Sequence, residues 1–411
     1  MTRILVDTPC APMPQVTANF SEPTYPAWLR TYLDDEQQLI RSLDPFPFDQ
    51  PSDITGYHSL HQNDYLRLCN HPEVVRARAE AATRVRVDSF SSSVFGGMGA
   101  EHASFVAMLR RSLQASEVIL TTAGWTANVG LIEAIALADL PIYIDSDAHA
   151  SLLDGARMSL GRRLLFRHND PAHLEQRIAI HGSGIVAIDA LYSTDGTLAD
   201  LRRYVSICER HDCTLVLDEA HSFGMFGRNG GGLAVAEGVA DKVHFRTLSL
   251  SKALGGHGGA IACGATIASS LWSRVRPVIF SSATSAVLAA AHGKALELTM
   301  QDRRAAEHTL TMAALLRSRL NANGVDTLGS GSQIISVKLQ GTDAARLYWA
   351  LRERRILTSV FVHPAVPRGI SLVRLSVHAQ VTEDDVDYIA NAIVASLDAL
   401  ERQGICRRSV A

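Results

Sequence analysis

"TLADLRRYVSICERHDCTLVLDEAHSFG", residues 197–224, joins an amphipathic helical stretch to a short apolar run that closes on Asp218. The run is too short for a helix and lacks polar alternation, so it reads as a strand buried on both faces. The same pattern recurs on either side. Between about residues 61 and 290 the runs EVILTTAG (117–124), LPIYIDSDA (140–148), RRLLFRH (162–168), GIVAIDALYS (184–193), VHFRTLSLS (243–251) and GAIACG (259–264) alternate with helical segments. Strands that alternate with helices in this way give an α/β fold, a parallel sheet covered by helices.

Past residue 285 the pattern changes. A long helical tract (286–324) precedes the strands SQIISVKLQG (332–341) and GISLVRLSVHA (369–379) and a closing helix over 383–404, which reads as a smaller α+β domain. The expected organisation is a proline-rich arm over 1–60, a large domain over 61–290 and a small domain over 291–411.

The 411 residues carry 39 basic and 42 acidic side chains, so no strong field draws the chain to nucleic acid or anionic lipid. The N-terminus lacks an apolar h-region, and the most apolar long stretch is interrupted by Glu133, Asp139 and Pro141. A cytoplasmic enzyme with no membrane span is expected. Six cysteines without a CxxC pair read as reduced thiols; Cys208 and Cys213 frame CERHDC, but no second ligand pair follows, and no metal site is expected.

In open α/β sheets ligands bind beyond the carboxyl ends of the strands. Those ends carry Gly124-Trp125, Asp145 to His149, Ser193, Asp218 to His221 and Ser249 to Lys252. Each alone has an ordinary explanation as a cap, a turn or an interior histidine; five converging strands argue for a site. No GxGxxG opens a helix and no GxxxxGK[ST] occurs, which disfavours nucleotide cradles. Lys252 stands among hydroxyls and glycines, with Asp218 closing a different strand. Pyridoxal phosphate needs that set: a lysine for covalent attachment, a carboxylate for the pyridine nitrogen and donors for the phosphate. A lysine in a dry, partly cationic pocket also loses proton affinity and gains reactivity.

LVLDEAHSFGMFGRNGGG (215–232) and TLSLSKALGG (247–256) resemble the α-oxoamine synthases, pyridoxal phosphate enzymes of fold type I that join an amino acid to an acyl-CoA. QNDYLRLCNHP (62–72), GWTANVGLIEAI (124–135), DAHASLLDGAR (147–157), YSTDGTLADL (192–201), IFSSA (279–283) and VRLSV (373–377) follow the family's motifs in order. The resemblance implies a mainly parallel seven-stranded sheet plus a small C-terminal domain, and a homodimer with shared active sites. It implies that Lys252 carries the cofactor and takes the α-proton, His149 stacks on the ring, and Asp218 pairs with its nitrogen. His221 and Ser193 would lie near the phenolic oxygen, and Gly124, Trp125 and Ser249 would face the phosphate. Ser281 and Ser282 would reach it from the neighbouring subunit. Arg374 would clamp the amino-acid carboxylate, with Asn63 approaching from the dimer partner. A lone arginine inside an apolar strand also calls for a buried anion on physical grounds.

Three departures from the biotin and haem-precursor branches stand out: Ala148 before the stacking histidine, Gln380-Val381 late in the chain, and Trp125 for the usual Tyr or Phe. With AGWTANVGL, LYSTDG, SQIISV and TSVFVHPA, they are similar to the quorum-sensing autoinducer synthases of the cholera type, which make long-chain α-aminoketones. The expected reaction joins a medium or long acyl-CoA to a small amino acid or an S-adenosylmethionine-derived donor. The alternatives are an 8-amino-7-oxononanoate, 2-amino-3-ketobutyrate or sphingoid-base synthase, and, from another class, a pyridoxal phosphate lyase or aminotransferase.

Overall fold

All seven apolar runs between residues 61 and 290 become strands of one sheet in the computed structural model, which describes residues 24–41, 53–84, 91–363 and 365–404. They are β1 (Glu117–Thr121), β2 (Pro141–Asp145), β3 (Arg162–Phe166), β4 (Ile185–Asp189), β5 (Thr214–Asp218), β6 (Phe245–Ser249) and β7 (Gly259–Cys263). Their spatial order is β1-β7-β6-β5-β4-β2-β3, and β7 alone runs antiparallel to its neighbours. Residues 250–258, with Lys252, form the short return from β6 to β7.

The sheet is covered on both faces, which explains runs without polar alternation. Leu215 and Leu217 of β5 pack into one core with Tyr204, Ile207 and Cys208 of the helix Leu201–Arg210. Val216, between them, faces the opposite core with Ala127, Leu131 and Leu152. Each fully buried leucine contributes about 1.5–3 kcal/mol. Cys208 and Cys213 are buried free thiols whose pKa values rise with burial.

A second sheet, β8 (Ile334–Gln340), β9 (Ser359–Phe361) and β10 (Ile370–Ser376), is antiparallel in the order β9-β10-β8. Its core takes Leu316, Leu347 and Ile389 from three helices. Leu60 joins that core, because His58–Ser59 pairs in parallel with Ile356–Leu357. The helix Ala286–Gln301 instead sends Ala291, Ala295 and Leu296 into a core shared with Phe105 and Leu109.

Residues 47–411 form one compact unit and residues 1–46 another, of which the helix Ala27–Arg41 is described. Of the arm expected over 1–60, residues 1–23 and 42–52 lie outside the described residues. Among the described residues no helix is long and apolar enough to cross a membrane.

One ion-pair cluster braces the end of β2. Buried Asp145 accepts from Asn169 N at 2.7 Å and from the Tyr192 hydroxyl at 2.8 Å, and His168 Nδ1 lies 3.0 Å away. His168 Nε2 is 3.0 Å from Asp195, so the imidazole bridges two carboxylates. Burial alone would lower the His168 pKa, but Asp145 and Asp195 overcome it and push it up to about 10. A folded-state pKa above the unfolded value of 6.5 means that this stabilisation is complete below pH 6.5 and is lost as the pH rises through about 10. Melting curves between pH 6.5 and 10 should therefore show a falling Tm, and His168→Gln should flatten the slope; an equal slope in the variant would remove this cluster from the account.

Candidate active site

The central strand β5 delivers Asp218 to the carboxyl edge of the sheet, where the side chain is 6% exposed. Its Oδ1 accepts from Ala220 N at 2.8 Å, and its Oδ2 accepts from Asn128 Nδ2 at 2.6 Å. Asn128 lies on helix α1 (Gly124–Ile135). The same amide also donates to Ser151 Oγ at 2.8 Å and accepts from Thr247 Oγ1 at 2.5 Å.

α1 begins where β1 ends, so its unpaired N-terminal amides face the site and make a ready anion cradle. Ser249, at the end of β6, stands beside this helix start, with its hydroxyl 2.8 Å from that of Ser251. The approach is close: a Cβ on Gly124 would lie 2.8 Å from Ser249 Cβ, nearer than side-chain atoms pack. Only glycine fits there.

These groups line a cavity of about 220 Å³ that also contains Lys252, His149, Trp125, His221 and Asp189. Lys252 has its pKa lowered to about 8, first by burial and then by the Arg374 charge, with Asp218 acting in the opposite direction. His149 caps helix α2 (Ala150–Met158), meets the Ser151 hydroxyl at 2.6 Å and turns its ring edge-on to Trp125 at 5.8 Å. His221 is held well below its ordinary range by burial and by the Lys252 and Arg374 charges. Its Nδ1 is 2.6 Å from the Tyr65 hydroxyl, which burial keeps protonated. Asp189, beside Asp218 in the β4–β5 register, is pushed well above the usual carboxylate range by burial and by the Asp218 charge.

A second cavity of about 860 Å³ shares Lys252, His149 and His221 with the first. Arg374 of β10 lies in its wall, 5% exposed, with no carboxylate partner among the described residues. Its Nη1 donates to Ser193 O at 2.9 Å and its Nη2 to Asn63 Oδ1 at 3.1 Å, while Nε is buried without a partner. The guanidinium covers the Phe361 ring at 4.7 Å. A desolvated cation in this state is a binding site for an anion.

Lys252, Asp218, His149, His221, Gly124, Trp125 and Ser249 thus converge on one cavity, with Arg374, Asn63 and Ser193 in the adjoining one. One expectation changes. Asn63 stands beside Arg374 of its own chain rather than a partner's, because the pairing at His58–Ser59 draws this segment against the small sheet. Ser193 meets Arg374 through its carbonyl and lines the larger cavity with His221 and Lys252. Ser281 and Ser282 line neither cavity of this chain; Ser281 Oγ donates to Pro277 O at 2.6 Å. Sequence reasoning missed Asn128, Asp189 and Tyr65. The signal for Asn128 was a polar side chain in the apolar stretch GWTANVGLI, and for Asp189 an acid closing an apolar strand.

The family model for aminotransferases of class I and II matches residues 56–393. A CAI-1 autoinducer synthase from Vibrio campbellii is 33% identical over 340 residues, 81% of this chain and 85% of the relative. An 8-amino-7-oxononanoate synthase from Anaeromyxobacter dehalogenans is also 33% identical, over 92% of this chain and 97% of its own length. The chain belongs to the α-oxoamine synthases. Serine palmitoyltransferase from S. paucimobilis, solved with PLP and myriocin bound, superposes on this synthase with a TM-score of 0.84 at 25% identity, covering 92% of this chain and 99% of that one.

This synthase is a pyridoxal-phosphate-dependent acyltransferase. The smaller cavity fits the cofactor: an anion cradle that a single Cβ would fill, a carboxylate at the sheet edge and a lysine of lowered pKa line the same space. Gly124→Ala should leave the far-ultraviolet circular dichroism unchanged and weaken pyridoxal phosphate binding by about tenfold or more. Unchanged affinity in a cofactor titration would show that the phosphate lies elsewhere.

Proposed function

We propose that this synthase condenses an acyl-CoA with a small amino acid or an S-adenosylmethionine-derived donor, releasing CoA, carbon dioxide and an α-aminoketone that serves as a precursor of a quorum-sensing signal. The observation that carries the reading is Arg374, a buried cation without an acidic partner, in a cavity that shares Lys252 with the cofactor cavity. The autoinducer branch is supported by the Vibrio campbellii relative and by the Trp125, Ala148 and Gln380-Val381 departures. A second copy of the chain would complete the site, with Ser281 and Ser282 meeting the partner's cofactor phosphate.

Pyridoxal phosphate, when bound, supplies an electron sink for negative charge at the donor's α-carbon. Lys252 would hold the cofactor covalently and move the α-proton, a task suited to an amine of pKa about 8. Asp218, fixed by Asn128 and Ala220, would hold the ring nitrogen. His149 would cover one ring face, while the neutral His221 offers a hydrogen bond to the phenolic oxygen. The helix start at Gly124 and Trp125, with Ser249, would hold the phosphate. Arg374 would grip the donor carboxylate and so decide which bond at the α-carbon stands in line with the sink. The α-carbon then bonds to the thioester carbonyl, the C–S bond breaks and CoA leaves as the thiol, carrying a proton; cleavage of the bond to the donor carboxylate releases carbon dioxide and leaves the α-aminoketone.

Mass spectrometry of products from a thioester chain-length series offered with candidate donors tests the reading. A long-chain aminoketone is expected. A product only from pimeloyl-CoA and alanine would move the enzyme to the 8-amino-7-oxononanoate branch, and turnover of donor without thioester consumption would make it a lyase or aminotransferase.

Borohydride reduction should fix a pyridoxyl group on Lys252, and Lys252→Ala should abolish it; an adduct mapped to another residue would refute the assignment. Attachment requires the neutral amine, so the rate at which the apoenzyme takes up cofactor should climb as the pH rises from 7 and level off above about 8, following Lys252. A plateau only near pH 10.5, the ordinary lysine value, would contradict this environment. Arg374→Ala should raise the KM of the donor by on the order of tenfold or more with little effect on that of the thioester.

A further inference from the structure

Strands β8 and β10 pair with Lys338 opposite Leu372 and Ser336 opposite Arg374. Side chains two residues apart share a face of a sheet, so Lys338 and Arg374 project on the same side as diagonal neighbours, roughly 7–8 Å apart. That side looks into the larger cavity, whose wall includes Lys338, Leu372, Arg374 and Phe361. Ser336, between them on the face, donates to Thr194 O across the same cavity.

Two cations on one sheet face repel each other, and an anion bound beside each relieves that repulsion. Neither has a carboxylate partner among the described residues: no ion pair joins Lys338 to an acid, and Arg374 contacts only neutral groups. The two differ in depth. Arg374 is buried and pinned by Ser193 and Asn63, whereas Lys338 is half-buried, on a strand that becomes exposed at Gln340. Lys338 therefore stands nearer solvent than Arg374 in the same cavity wall.

The reactants offer two kinds of anion. The donor carboxylate goes to the deeper cation, Arg374, and the phosphates of the CoA moiety remain for the outer one. We propose that Lys338 is a specificity-determining residue that pairs with a phosphate of the acyl-CoA at the cavity mouth. The inference rests on the acyl-CoA reading of the function and adds the residue that distinguishes a CoA thioester from a thioester without phosphates.

The test uses the cofactor-loaded enzyme, with Lys338→Ala and Lys338→Arg as variants. Steady-state rates are measured with an acyl-CoA and with the same acyl group on pantetheine, and CoA binding is measured separately by calorimetry. Lys338→Ala should raise the KM for acyl-CoA and the Kd for CoA on the order of tenfold. Lys338→Arg should recover most of the loss, and the loss should vanish with the pantetheine thioester. An equal loss with both thioesters, or one that moves to the KM of the amino donor, overturns the proposal; the latter would give Lys338 a second donor carboxylate. If the parent enzyme consumes no acyl-CoA, the functional reading falls by itself, and calorimetry with CoA still decides the role of Lys338: unchanged affinity in Lys338→Ala overturns it.

Discussion

The carboxamide of Asn128 is the knot of this active site. Its three hydrogen bonds reach Asp218 at the end of β5, Thr247 on β6 and Ser151 on α2. Through them one side chain on α1 ties the helix that starts at Gly124 to the acid, to the strand leading into Lys252 and to the hydroxyl that meets His149. Every bond is buried, so losing the amide would strand polar partners at a cost of about 1–3 kcal/mol each. Asp218, the strand leading to Lys252 and the hydroxyl beside His149 are thus held to one another through a single side chain.

The electrostatics of the two cavities form one system. Burial depresses Lys252 and His221, and the Arg374 cation depresses both further. Asp218 works against this for Lys252 and drives its neighbour Asp189 toward the protonated form. The site therefore presents a reactive amine, a neutral imidazole and an uncompensated guanidinium together. An arriving carboxylate cancels the last of these and changes the field felt by the other two.

Much of the fold could be read because both faces of the large sheet are covered: strands buried on two sides must be apolar throughout, and all seven such runs proved to be strands. The reversed direction of β7 was invisible, since GAIACG would look the same in either orientation. Site residues at strand ends were legible because Lys252, Asp218 and His149 are chemically conspicuous among turns. Asn128 was hidden inside an apolar helix, where its identity matters only through partners 23, 90 and 119 positions away. Asn63 was assigned to the wrong chain because the pairing that carries it, His58–Ser59 with Ile356–Leu357, is two residues long and has no recognisable pattern.

Lys252 stands in the return between two strands of the large sheet, while Arg374 stands on a sheet with a separate core. The lysine and the uncompensated arginine thus belong to two sheets, each packed against its own core. Substitutions where the two sheets meet can therefore reshape the larger cavity and leave the packing around Lys252 intact.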